Sequence, residues 1–224
     1  MMSLRYLTLT PSFHQLNDNK LKVFCIGLNK TGTTSLVDAW KELGYTKIYS
    51  GFDKPTLSKI MPNKFVFKDG NIINSGFNND YYILNQLISG YECMKDRPFN
   101  TNNLYRWLDK NYYNSKFILT IRDDEEWWES VNKWLTSTVN LHETEEKRKK
   151  KIDLYKKHFN TTEFTKDSFI TYYQDYNNKV KEYFKGNPNF LEINICNGEG
   201  WELLCPFLGK TIPNKEFPKS NVNI

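Results

Sequence analysis

Three short, mainly apolar runs punctuate an otherwise polar chain: Leu21–Ile26, Phe117–Ile121 and Phe190–Ile195. Runs of this length with β-branched and aromatic members predict strands buried on both faces. Each is followed by a segment of helical spacing. After the first, Leu36, Val37, Trp40 and Leu43 recur on one face of a helix over 34–43, and Gly44 supplies its stop. After the second come Arg122, two aspartates and a helix from about 125 to 135. After the third, 201–208 reads as a helix ending at Gly209. Strands alternating with helices predict an α/β fold with a mostly parallel central sheet.

Between these units the pattern is weaker. Phe65–Phe67 and Tyr91–Met94 read as strands, with a helix over Tyr81–Ile88 between them, and Glu143–Tyr183 is polar and helical. The run Glu145–Lys151 begins with two acids inside that helical stretch. It is expected to be a solvated helix face, not a nucleic-acid contact. No internal repeat, linker or composition break appears, so residues 1–224 are expected to form one domain.

Composition narrows the class. Aromatic residues make up 16% of the 224, too many for a disordered chain, and 11 Gly with 8 Pro exclude a collagen-like one. No apolar run approaches the roughly 18 residues that cross a membrane, so a soluble protein with no membrane partner is expected. Pro11, His14 and Asp18 break up the first twenty residues, which therefore do not read as a targeting peptide. The four cysteines, Cys25, Cys93, Cys196 and Cys205, form no C-x-x-C pair. They are expected to be reduced, mostly buried thiols of a cytoplasmic protein. With only His14, His142 and His158 beside them, no metal site is expected. The net charge of +5 is too mild to call for a polymeric anion.

The chemistry concentrates in Gly27-Leu-Asn-Lys-Thr-Gly-Thr-Thr-Ser35, between the first strand and the first helix. A strand, a Gly-containing turn and a helix aim several backbone N–H groups at one point, at the positive end of the helix dipole, which suits phosphate. The two glycines keep the Walker A spacing, yet Thr33 stands where that motif requires Lys, and the lysine lies inside the turn as Lys30. Asn29, Lys30, Thr31, Gly32, Thr33, Thr34 and Ser35 are the expected anion-binding residues, with Lys30 reaching the terminal group.

Lys30-Thr-Gly-Thr-Thr-Ser-Leu36 resembles the phosphosulfate loop of sulfotransferases that use 3′-phosphoadenosine 5′-phosphosulfate (PAPS). The segment Phe117–Ser130 is similar to the family's strand–Arg–helix block, and Gly198–Gly209 to the C-terminal block of a compact branch. The resemblance implies a three-layer P-loop-type α/β fold and transfer of a sulfuryl group from PAPS to a hydroxyl or amine. Adenosine 3′,5′-bisphosphate (PAP) leaves, and no metal is involved. It implies that Arg122 and Ser130 bind the 3′-phosphate and that Lys30 is catalytic. It also makes the polar segment 136–165 a cover over the acceptor.

In related enzymes a segment ahead of the Arg strand carries a histidine base. Asp96 of Cys93-Met-Lys-Asp-Arg-Pro98 stands at that position. Asp96 is either the base or a helix cap or partner of Arg97, and Asp69 is the alternative base. Trp127, Trp128, Trp134, Tyr81 and Tyr82 are core residues, or they wall an acceptor pocket or stack on adenine. The acceptor, small molecule or carbohydrate, and the oligomeric state are left open. So are a P-loop kinase or other NTP-dependent enzyme, and a catalytically silent nucleotide-binding module.

Overall fold

The computed structural model describes residues 21–51, 66–68, 71–73, 80–101, 103–136, 144–159 and 161–220. Asp69, His14 and His142 lie outside them, as do the side chains of Tyr81, Tyr82 and His158. The elements in chain order are β1 (Val23–Cys25), α1 (Thr33–Glu42), β2 (Ile48–Tyr49), β3 (Val66–Lys68), β4 (Asn71–Ile73), α2 (Asp80–Ser89) and β5 (Cys93–Met94). They continue with α3 (Leu104–Asn111), β6 (Lys116–Thr120), α4 (Asp124–Thr136), α5 (Glu145–His158), α6 (Lys166–Tyr183), β7 (Phe190–Ile193), a 3₁₀ turn (Ile195–Asn197) and α7 (Trp201–Leu208).

Five strands form one sheet in the order β2-β5-β1-β6-β7, every pairing parallel, while β3 and β4 pair as a separate antiparallel hairpin. The strand period of two divides the core into two layers. Val23 and Cys25 point into a cluster with Leu36, Trp40, Trp201 and Leu204, so α1 and α7 cover that face. Phe24 and Ile26 point into a larger cluster with Leu84, Leu104, Trp127, Phe169 and Tyr176, which α2, α3, α4 and α6 supply. This is the expected three-layer α/β fold. β1 lies at the centre of the sheet, and its residues are fully buried.

Several boundaries move. The third predicted strand ends at Ile193, because the Asn194 side chain accepts from the Asn197 amide (3.1 Å) and turns the chain into the 3₁₀ segment. The polar stretch 143–183 is two helices, and the second starts where the Thr165 hydroxyl caps the Ser168 amide. The helix that follows β5 begins at Leu104.

The site is set by three loops that leave the same, C-terminal edge of adjacent strands. These are 26–32 after β1, 95–100 after β5, and 121–123 after β6. In parallel α/β sheets this edge is where ligands collect. Gly27 allows the ends of β1 and β6 to meet closely. A Cβ there would lie 2.1 Å from Thr120 Oγ1 and 2.6 Å from the Thr120 carbonyl oxygen.

Candidate functional site

The β1–α1 loop is held from inside. The fully buried Thr31 hydroxyl donates to the Leu28 carbonyl (2.6 Å) and lies 2.6 Å from the Thr120 hydroxyl. Tyr176 donates to the Ile26 carbonyl (2.6 Å), and the Trp127 indole to that of Asn29 (3.0 Å). Lys30 and Gly32 both take positive φ, 74° and 86°, which folds the loop back over the start of α1. Such a conformation is strained for a lysine and is kept only where surrounding contacts impose it.

The opening of α1 can accept an anion. Gly32 caps it without any side chain, and no acidic residue lies in its first turn. The first amides of a helix have no carbonyl a turn earlier to pair with. Those of α1 therefore face outward at the positive end of the dipole. The hydroxyls are divided. Thr31 is spent on the fold, and the Ser35 hydroxyl accepts from the Ser220 amide (3.0 Å) of the C-terminal segment that lies against α1. Thr33 is buried and Thr34 half-buried at the mouth.

Lys30 is one of four cations gathered here. Burial and the nearby charges of Lys151, Arg122 and Lys133 push its ammonium below the ordinary 10.5. Lys30 Nζ lies 5.5 Å and Lys151 Nζ 4.3 Å from the centre of the Trp134 ring, and Lys151 also donates to the Trp134 carbonyl (2.7 Å). Like charges do not gather in a half-dry place for their own sake, and a polyanion relieves their repulsion. Within the group Arg122 is paired with a carboxylate, its Nε meeting Glu126 at 3.1 Å.

Arg122 follows β6, its backbone clasped by Tyr173, whose hydroxyl donates to the Arg122 carbonyl (2.9 Å) and accepts from its amide (2.8 Å). Burial chiefly pushes that phenol up to about 12, so it stays neutral. Ser130 is half-buried in the second turn of α4. The described contacts bring Arg122 to Lys30 and leave Ser130 without a hydrogen bond to the loop.

Asp96 is brought to the loop. It takes φ 61° directly after β5 and is buried. Its Oδ1 accepts from the Asn29 amide group (2.8 Å) and its Oδ2 meets Lys95 Nζ at 2.7 Å. It caps no helix and does not pair with Arg97. Asn29 is fixed in turn, its Oδ1 accepting from Asn100 (3.3 Å) and from the Tyr155 hydroxyl (3.5 Å). The neighbour of Lys30 in sequence thus ties the β5 carboxylate to the anion loop.

Sequence reasoning missed Lys151, Tyr155 and Asn100. The charged run at 145–151 is solvated as expected up to Lys150, but Lys151 turns inward. The signal was present in the spacing: Lys151 and Tyr155 stand four apart, on one face of α5. Of the aromatics, Trp127 is fully buried, while Trp128 and Trp134 pack partly exposed against the same core. Among the described residues no three His, Cys, Asp or Glu side chains converge as metal ligands, and no helix is long and apolar enough to cross a membrane.

With this geometry in place, likenesses to known proteins can be set beside it. A family model described as "Sulfotransferase domain" matches residues 22–223, a stretch that contains all three site loops. The chain is also similar to "Ava biosynthesis cluster protein M" of Aspergillus versicolor. The two are 25% identical over 229 residues, covering 88% of this chain and 80% of that protein. The relative's name ties it to a biosynthesis cluster and states no reaction.

Proposed function

The chain belongs to the sulfotransferase domain family, its match running from residue 22 to 223, and on that premise we propose that it transfers a sulfuryl group from PAPS to a hydroxyl or amine of a small-molecule acceptor. The observation that carries the donor assignment is the set of cations whose charges act on Lys30 (Lys133, Lys151 and Arg122), beside the loop that leads to the uncapped start of α1. A phosphosulfate with a separate 3′-phosphate matches that spread of positive charge. The α1 amides and Lys30 would hold the phosphosulfate. Arg122, at the end of the neighbouring strand, would take the 3′-phosphate together with Ser130.

The transfer is an in-line displacement. The bond from sulfur to the bridging phosphate oxygen breaks, and the new bond from sulfur to the acceptor oxygen or nitrogen forms. The bond pair stays on the departing phosphate, which gains negative charge. Lys30 opposes that charge, an interaction that strengthens only as the bond opens and so favours the transition state over the ground state. Asp96 takes the acceptor's proton. Asn29 and Lys95 hold its carboxylate in one orientation beside the loop, and each oxygen keeps a lone pair for the incoming proton.

Calorimetric titration in metal-free buffer tests the reading. PAP is expected to bind without a divalent cation, and PAPS with a broad panel of phenols and alcohols to give sulfated product. Absence of PAP binding, with ATP and Mg²⁺ bound instead, points to a kinase-like enzyme and overturns the proposal. PAP binding with no product from any acceptor leaves a silent nucleotide-binding module.

A further inference from the structure

Beside the base, on the same turn, is a second cation that the donor chemistry does not use. Arg97 directly follows Asp96, and its backbone is pinned by the Tyr49 hydroxyl, which donates to the Arg97 carbonyl (3.1 Å). The turn has little freedom. Asp96 holds positive φ, and a Cβ on Gly51 would come within 2.7 Å of Asp96 Cβ. Asp96, the obvious counter-charge, is paired with Lys95 instead. The guanidinium lies over the face of Tyr155, its carbon 5.2 Å from the ring centre, and its Nη2 is buried without a hydrogen-bond partner. On the same turn the fully buried Asn100 leaves its Oδ1 unpartnered. Buried polar atoms are nearly always satisfied, and those that are not call for an unseen group.

The surroundings say what kind of group. The hydroxyl of the ring beneath Arg97 reaches Asn29, which holds Asp96, so the cation is one aromatic ring away from the reaction centre. Further aromatic faces line that side: Trp134 meets Tyr155 edge-on at 5.0 Å, and Phe159 stacks on Tyr172 at 4.6 Å. Burial chiefly pushes the phenols of Tyr155 and Tyr172 up to about 12, and the charge of Arg97 acts on both. They stay neutral and supply no counter-ion. A planar guanidinium on an aromatic face suits a planar anion, which it can grip through two parallel N–H bonds.

We infer that Arg97 is the acceptor-binding residue, and that the acceptor is a small hydroxy acid whose carboxylate is held by Arg97 while its hydroxyl, about one ring's breadth away, faces Asp96. Arg97 thereby selects which hydroxyl compounds are sulfated. The inference rests on the proposed donor reading.

Titration of the full chain, first with PAP and then, in the PAP-loaded state, with 4-hydroxybenzoate and with its methyl ester, tests it. The acid is expected to bind at least about tenfold tighter than the ester. R97Q should bring the two affinities within about threefold of each other, and R97K, which keeps charge but loses the planar fork, should fall between. Circular dichroism checks that each variant is folded, and R97K decides if R97Q is not. Equal affinities for acid and ester in the unsubstituted protein, no binding of the acid, or an undiminished preference in the folded variant overturns the inference. Failure of PAP to bind at the first step sinks the donor reading instead.

Discussion

At the scale of single residues, the roles proposed for Lys30 and Asp96 are separately testable. Lys30→Met removes the charge proposed to meet the departing phosphate. Turnover is expected to fall by roughly 10²–10³, as for a lost oxyanion donor, with a smaller change in PAP affinity measured by calorimetry. A larger loss of PAP binding than of turnover would make Lys30 a binding residue only. Asp96→Asn removes the proposed proton acceptor and should lower turnover by about 10²–10⁴. It also strands the Lys95 ammonium, whose side chain is only 6% exposed. Chemical denaturation should therefore show a loss of about 3–5 kcal/mol, as for a broken buried pair. Lys30 gives a third test through its proton. Its pKa is lowered by burial and by Lys151, Arg122 and Lys133, so the folded chain binds fewer protons than the unfolded one between that value and 10.5. The charged lysine costs stability fully below its lowered pKa, and the cost is relieved as pH rises from that value through 10.5. A bound polyanion reverses the shift. Titrating PAP in alkaline buffers of different ionisation enthalpy should reveal proton uptake, absent in Lys30→Met.

The elements explain why some of this was readable from sequence and some was not. β1, β6, α1, α4 and α7 were legible because each buries a continuous run or a full helical face, and burial of that kind leaves a period. So was the loop, since Gly27, Lys30 and Gly32 have few reasons to stand together in a turn. Asp96 was legible as a residue but not as a partner of Asn29, because 67 positions separate them and only the pairing of β5 with β1 brings them together. α5 misled for a related reason. The i, i+4 spacing of Lys151 and Tyr155 marks one face of α5, but which way that face turns depends on where Trp134 of α4 lies. The closest joint between elements is also testable. Gly27→Ala would drive a Cβ into the Thr120 side chain and backbone. The backbone cannot swing aside, so β1 and β6 must part at the edge that carries Lys30 and Arg122. Overpacking of this kind costs about 1–3 kcal/mol or more. Thermal unfolding should show the loss, and PAP affinity should fall with it. An unchanged melting point would mean that the two strands are not so close.

For the whole molecule the net charge of +5 says little beside the three further cations whose charges act on Lys30. Their grouping depends on segments far apart in the chain, with Lys30 after β1, Arg122 after β6, Lys133 on α4 and Lys151 on α5. The central sheet likewise draws strands from residue 23 through residue 193. Cutting the chain anywhere between would divide either the sheet or the site, and for that reason we propose that it folds as one unit. Calorimetric unfolding should then give a single transition, with the van't Hoff and calorimetric enthalpies equal. Because PAP would bind only the assembled site, a concentration near 100 times its dissociation constant should add about 2.7 kcal/mol. For a chain of this length that raises the midpoint by roughly 5–10 °C, with the whole transition moving together. Two transitions, only one of which responds to PAP, would mean that the anion site belongs to a smaller unit, and that the rest of the chain folds without it.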